Sequence, residues 1–244
     1  MFIKMLTFNS SVPISPCQYM PAQRSYLRME QAKPINKENI LIHTSYVTRP
    51  FSTNGLSQMS KTMHNLRLYH QMSPDILVHG PSNPDEYKNF GLGLELLNKL
   101  SHKTHIEIPS FSKHLIALMD EPFKFIDEYL TFVVDNGFPI VLDTAHLHAN
   151  GLTTQEMINL FDKYKKNYKY IHLNGNEKAK YLSDIHCPIT SKENKITHVD
   201  KLLKAIPKDK IIISESPCGD WSYWEDLAKK YGWNLIEFNK NLNY

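Results

Sequence analysis

Six short runs of β-branched and other apolar residues in this chain each end in a side chain able to bind a metal: Ile-Leu-Ile-His43, Ile-Leu-Val-His79, His-Ile-Glu107, Ile-Val-Leu-Asp143, Tyr-Ile-His172 and Ile-Ile-Ile-Ser-Glu215. Apolar runs of this length read as buried strands. A barrel or doubly wound sheet of parallel strands brings the carboxyl ends of its strands to one face, so endings far apart in sequence can converge there. A shared metal site is the first expectation.

Helix-like segments separate these runs. Strands are expected over Asn39 to His43, Asp75 to His79, Thr104 to Ile108, Pro139 to Asp143, Tyr168 to Leu173 and Lys210 to Glu215. Helices are expected over Leu56 to His70, Pro84 to Leu100, Thr153 to Tyr164 and His198 to Ala205. Another opens at Asp120-Glu-Pro122, carries Phe125, Tyr129, Phe132 and Val133, and is closed by Gly137, a helix-stop residue. Such alternation implies parallel pairing with right-handed crossovers. At 244 residues the chain fits a single domain, residues 1–244, built as a TIM-like (β/α)8 barrel of the α/β class, which needs roughly 250 residues. Phe2 to Phe8 and Cys17 to Met20 are candidates for the first two strands, but about ten residues between them is short for a crossover with its own helix. Either the first β/α unit is shortened or one of these runs lies outside the barrel. Asn234 to Phe238 reads as part of a terminal helix or as an outside strand.

A net charge of +3 and a pI near 8.6 permit a polyanionic partner without indicating one. Cys17, Cys187 and Cys218 form an odd set without paired metal spacing, which fits a reducing, intracellular setting. No apolar stretch approaches the ~18 residues of a membrane helix, and the N-terminal Met1 to Phe8 is too short for a signal peptide. A soluble protein of the cytoplasm or nucleus is expected.

Loops after the strands enlarge the ligand inventory. Asp143-Thr-Ala-His146 places two ligand types three apart at a strand end entering a loop, and Asp184-Ile-His186 places two more two apart. The candidates are then His43, His79, Glu107, Asp143, His146, His172, Asp184, His186 and Glu215. A lone strand-end His is more often a hydrogen-bonded structural residue, and His64, His70, His102, His105, His114, His148 and His198 are read that way. Repetition across separate strands is what favours a site. Five His with four carboxylates suit a borderline ion such as Zn²⁺. One catalytic zinc uses about three protein ligands, so the set suits three ions with one carboxylate bridging two of them.

The ordered segments Ile-His43-Thr-Ser-Tyr46, Val-His79-Gly-Pro-Ser82, Ile-Glu107, Leu-Asp143-Thr-Ala-His146, Ala149-Asn-Gly151, His172-Leu-Asn174, Asp184-Ile-His186 and Glu215-Ser-Pro217 resemble the strand-end motifs of the endonuclease IV family, zinc-dependent AP endonucleases on a β/α barrel. The resemblance runs from about residue 17 to residue 223. It implies that His43 and His79 hold a first zinc, with Glu107 bridging to a second that Asp143, His172 and Glu215 complete. His146, Asp184 and His186 would hold a third. Glu107, Glu215 and Asp143 would be the catalytic carboxylates. The implied reaction is hydrolysis of double-stranded DNA 5′ to an abasic site, leaving a 3′-hydroxyl and a 5′-deoxyribose phosphate, with 3′-end trimming left open and the enzyme a monomer. Extruding the damaged nucleotide costs least where no base pair holds it. Arg24, in a segment resembling the family's loop after the second strand, and Tyr46 with Val47 would contact DNA, the latter pair as a stacking wedge. Lys178 and Lys180 could meet phosphates. Departures from the family pattern are Gly175 in place of an acidic residue, Ile185 in place of Arg, and Cys187-Pro-Ile-Thr in place of a Gly-rich stretch.

A sugar isomerase or epimerase of the xylose-isomerase-like barrel group is the alternative. It resembles this chain in using Glu107, Asp143, His172 and Glu215 around one ion for proton transfer beside a carbonyl. That reading gives no role to His43, His79, Asp184 or His186. A catalytically silent DNA-binding barrel would be free to lose ligands, and none is lost here.

Overall fold

The structure, a computed structural model, describes residues 2–7, 17–21, 26–29, 40–52, 55–73, 75–100, 103–215 and 221–233. Its strands are β1 (Phe2–Thr7), β2 (Cys17–Met20), β3 (Ile40–His43), β4 (Asp75–His79), β5 (Thr104–Glu107), β6 (Ile140–Asp143), β7 (Tyr170–His172), β8 (Gly175–Asn176), β9 (His186–Cys187) and β10 (Ile211–Ser214). All but β8 and β9 form one closed barrel, ordered β1-β2-β3-β4-β5-β6-β7-β10 with β10 pairing back onto β1, every pairing parallel. Both early runs are therefore barrel strands, although only residues 8–16 separate them. Those nine residues and Asn234 to Phe238 lie outside the described residues.

The helices are α1 (Gly55–Met72), α2 (Pro84–Tyr87), α3 (Phe90–Asn98), α4 (Lys113–Ile116), α5 (Pro122–Asp135), α6 (Thr144–Ala149), α7 (Thr154–Lys163), α8 (Val199–Ala205) and α9 (Trp221–Tyr231). Start and stop chemistry behaves as the residue types suggest. Thr153 and Glu156 close a capping box on α7, and Gly137, at φ +83°, turns the chain out of α5. The helix expected from Pro84 to Leu100 is broken in two. Asn89 leaves helical geometry, and its side-chain Nδ2 donates to the Asp85 carbonyl in place of its own backbone N–H, the local competition that makes Asn a poor helix-interior residue. The segment after Asp143 is a helix at once, not a loop, because the Asp143 carboxylate accepts from the Ala145 and His146 N–H groups as an N-cap. Helices α4 and α9 have no counterpart among the elements expected from sequence.

Side chains alternate across each strand, and this alternation divides the molecule into two cores. Ile42, Ile76, Val78, Ile106, Ile140, Leu142, Ile171 and Ile212 face outward into a shell shared with Leu66 of α1, Leu94 of α3, Leu130 of α5 and Leu160 of α7. Leu41, Leu77, Val141, Tyr170, Ile211 and Ile213 fill the barrel interior. One step below that plug, Asp75 accepts from the Tyr170 hydroxyl (3.0 Å) and lies 3.4 Å from both His105 Nε2 and Lys169 Nζ. One step above it stand His43, His79, Glu107, Asp143 and His172. Polar groups thus close both ends of an apolar filling.

Burial works against the Asp75 carboxylate, but His105, Lys169 and Tyr170 outweigh it and hold its pKa below the usual Asp range. Asp75→Asn should cost about 1–2 kcal/mol at neutral pH. A folded pKa below the unfolded value of about 3.9 gives stabilisation that is complete above about pH 4 and is lost as pH falls through the folded value. Urea melts of the two proteins should therefore converge on acidification below about pH 4, and a gap that widens there would contradict this role.

Candidate metal centre

Every strand-end ligand candidate lies at the upper mouth of the barrel. Register explains the convergence: His79 pairs across from Glu107, and Asp143 across from His172, so inward-facing ends are neighbours. Three groups of side chains have ligand atoms all within 4.8 Å of one another: His43, His79 and Glu107; Glu107, Asp143, His172 and Glu215; and Asp143, His146 and His186. Glu107 belongs to two of them, with Oε2 at 2.9 Å from His79 Nε2 and 3.7 Å from His43 Nε2, and Oε1 at 2.8 Å from His172 Nδ1. Asp184 Oδ2 sits 2.9 Å from His146 Nε2 and 3.0 Å from His186 Nε2. Asp143 differs from the expectation that it serves the second group alone. Its Oδ2 lies 3.5 Å from His172 Nδ1 and 3.9 Å from His186 Nε2, so it reaches the third group as well.

The loop after β7 delivers Asp184 and His186 through the β8–β9 pair, in which Gly175 faces Cys187. A Cβ at position 175 would fall 2.9 Å from Cys187 Sγ. The Gly175 and Cys187 departures are therefore one packing solution, and Cys187 is buried against the hairpin. Ile185 is exposed.

The imidazoles are oriented from behind. A carbonyl oxygen can only accept, so His43 Nδ1–H donates to the Thr44 carbonyl and His146 Nδ1–H to that of Ile108, both at 2.8 Å. Each leaves its Nε2 directed at carboxylates. For His172 the partner is Gln18, which is fully buried. Gln18 Nε2 donates to Glu215 Oε1 (2.5 Å), which turns its Oε1 to His172 Nε2–H (2.8 Å) and leaves His172 Nδ1 facing Glu107, Asp143 and Glu215. Backbone or side-chain acceptors behind a ligating imidazole are what a metal site requires. Asn174 does the corresponding work for carboxylates, donating Nδ2 to Asp143 Oδ2 (2.8 Å) while its Oδ1 accepts the Glu215 N–H. Neither Gln18 nor Asn174 stands among the site residues expected from sequence. The signal available for Gln18 is a lone amide inside a short strand-like run.

Donor chemistry and protonation both fit divalent cations. Glu107 Oε2 and Asp184 Oδ1 are buried without a hydrogen-bond donor in sound geometry, a costly state unless another cation satisfies them. Burial opposes ionisation of Glu107, yet His172 and His79 hold it well below the usual carboxylate range. Asp143 is likewise lowered by His146 and His186 against its burial. Burial is outweighed by carboxylates at His146 and His172, which are raised well above ordinary values, and at His186, raised to about 9. At His79 burial wins and the pKa falls. Protons on three imidazoles thus balance the buried carboxylates where cations would otherwise do so.

Tyr46 is partly exposed at the mouth, its ring 5.3 Å from that of His79 and nearly parallel to it, with Val47 beside it. Lys180 Nζ is tied to the Gly151 carbonyl, and Lys178 is exposed. Arg24 lies outside the described residues.

No protein-family model and no curated protein matches the sequence. Among solved structures, endonuclease IV from Thermus thermophilus is similar with a TM-score of 0.64 at 16% identity, over 94% of this chain and 99% of that chain. The AsfvAP:AG structure is similar at 0.59 and 12% identity, over 95% and 96% of the two chains. An L-ribulose 3-epimerase is similar at 0.50 and 13% identity, over 91% and 78%. The fold is a TIM-like β/α barrel. Likeness at such identities establishes that architecture, which nucleases and epimerases share, and no described helix is long and apolar enough to cross a membrane.

Two measurements test the centre. Zinc loading at neutral pH should release protons from His146, His172 and His186, and affinity should rise as pH increases through about 9, where His186 loses its proton. Calorimetry in buffers of different ionisation enthalpy would show this, and a proton-neutral titration would count against it. Gln18→Leu should weaken zinc binding roughly 10- to 100-fold in chelator competition.

Proposed function

We propose that this barrel is a zinc-dependent endonuclease that hydrolyses double-stranded DNA 5′ to abasic sites, leaving a 3′-hydroxyl and a 5′-deoxyribose phosphate. The observation that carries this reading is the adjacency of three ligand groups that share Glu107 and Asp143. A single-ion isomerase has use for Glu107, Asp143, His172 and Glu215 and leaves His43, His79, His146, Asp184 and His186 without employment. A phosphodiester, with a nucleophile, two non-bridging oxygens and a leaving oxygen to be served, uses them all.

Zinc at such a centre supplies an acidified water and positive charge against the phosphate oxygens. His43, His79 and Glu107 would hold the first ion, Glu107, Asp143, His172 and Glu215 the second, and His146, Asp184 and His186 the third, with Asp143 close enough to the last pair to steady it. Glu107 and Asp143, both fully buried, would supply the negative charge that offsets repulsion between neighbouring cations. Glu215 is the least buried carboxylate of the second group, with 9% of its side chain exposed, and is suited to take the proton lost by the attacking water. Tyr46 offers the face not packed on His79 to a base beside the lesion, with Val47 and Arg24 as further DNA contacts. The mild positive charge of the chain is compatible with a duplex partner.

Metal analysis should find close to three zinc per monomer, and the loaded protein should nick a duplex carrying one tetrahydrofuran site on its 5′ side. One Mn²⁺ or Mg²⁺ per chain with no nicking would favour the isomerase. Glu107→Gln should lower nicking by at least about a hundredfold, because it removes the charge that two groups share. Undiminished nicking by that variant would defeat the assignment.

A further inference from the structure

A cavity of about 220 Å³ opens beside the candidate centre, with His79 and His146 at its inner end. None of the remaining wall residues is a ligand candidate. Tyr46, Thr48 and Arg49 line it from the loop after β3, Ser82 and Glu86 from the segment after β4, and Ser110 from the loop after β5. The volume is small beside the roughly 300–1,000 Å³ of pockets that bury drug-sized molecules. Hydroxyl groups, the rings of Tyr46 and Phe51, one guanidinium and one carboxylate suit a sugar ring.

Glu86 is the unusual member of this wall. It is 7% exposed and held in place at one oxygen, where Oε2 accepts from Ser82 N–H (3.0 Å) and Ser82 Oγ–H (3.2 Å). Its own N–H donates to Asn83 Oδ1 at the start of α2. The other oxygen, Oε1, has the Arg49 guanidinium at 3.5 Å, beyond good hydrogen-bond length. Arg49 is meanwhile anchored through Nε to the Tyr46 carbonyl (3.2 Å). A mostly buried carboxylate, ion-paired with Arg49, is thus fixed in direction, and its Oε1 keeps lone-pair capacity to accept a further hydrogen bond in the cavity that Glu86 lines.

We propose that this cavity receives the base-free sugar and that Glu86 accepts a hydrogen bond from its C1′ hydroxyl, which makes Glu86 a specificity-determining residue. The inference rests on the abasic-site reading. An abasic deoxyribose carries a hydroxyl at C1′ where an intact nucleotide carries a base, and a tetrahydrofuran residue carries only hydrogen. Glu86 therefore confronts the one atom that distinguishes the lesion. A site built to bond a substrate hydroxyl discriminates strongly against an analogue that lacks it, because its buried polar group is left unpaired. Arg49 acts as a positioning residue that holds the carboxylate and the Tyr46 loop together. A purely structural Glu86, serving only to cap the turn before α2, would have no preference to express.

The test uses three duplexes identical except at one position: a natural abasic deoxyribose, a tetrahydrofuran residue, or an intact nucleotide. Dissociation constants are read by fluorescence anisotropy in EDTA, and KM and kcat with zinc, for the wild type, Glu86→Gln and Glu86→Ala, with melting curves to monitor folding. The wild type should bind the natural lesion about tenfold more tightly than tetrahydrofuran, as expected for a charge-assisted hydrogen bond. Glu86→Ala should bring the two within about twofold by weakening only the natural lesion, and Glu86→Gln, whose amide oxygen still accepts, should fall between. If Glu86→Ala does not fold, Glu86→Gln decides, since a ratio equal to that of the wild type overturns the proposal. A wild type without preference, or a preference kept by Glu86→Ala, overturns it too. Failure of the zinc-loaded wild type to nick either lesion sinks the nuclease reading itself, whereas an unchanged ratio in a nicking enzyme removes only the role of Glu86.

Discussion

The alternation of side chains along a strand governs this molecule. A barrel strand must turn every second residue inward, and here that parity places Leu41, Leu77, Val141 and Ile213 in a dry filling and puts His43, His79, Asp143 and Glu215 two residues further along, where strands end and water begins. A slip of one residue in β3, β5, β6 or β7 would exchange a polar end for an isoleucine or a leucine. Apolar packing below thus specifies the geometry of the polar mouth above. The same parity sets Asp75, His105 and Tyr170 at the lower end, where their mutual hydrogen bonds close the barrel without a binding site.

Gathering so many carboxylates and imidazoles in one buried place is electrostatically adverse unless charges alternate. The arrangement meets this demand by interleaving: Glu107 lies between His79 and His172, and Asp184 between His146 and His186. Backbone carbonyls behind His43 and His146, and Gln18 behind His172, fix which nitrogen carries a proton. Asn174 and the N-terminus of α6 perform the same service for Asp143.

Around the mouth, loops contribute shape more than charge. Tyr46 leans on His79, and Arg49 bridges the Tyr46 loop to Glu86. The wall next to the centre is rich in hydroxyls.

The sequence by itself determined the barrel and the polar side chains that gather at its mouth, because the apolar runs and their polar endings are local patterns that survive in one dimension. Helix boundaries were legible where capping residues such as Thr153 or Gly137 stand, and illegible at Asn89, where a side chain competes with its own backbone. Only the tertiary structure decided that Asp143 serves two groups, that Gln18 and Asn174 orient the ligands, and that Arg49 and Glu86 build a wall beside them. Those relations join residues from separate strands and loops, and a hydrogen bond between positions as distant as Gln18 and His172 leaves no periodicity in the chain for a reader to find.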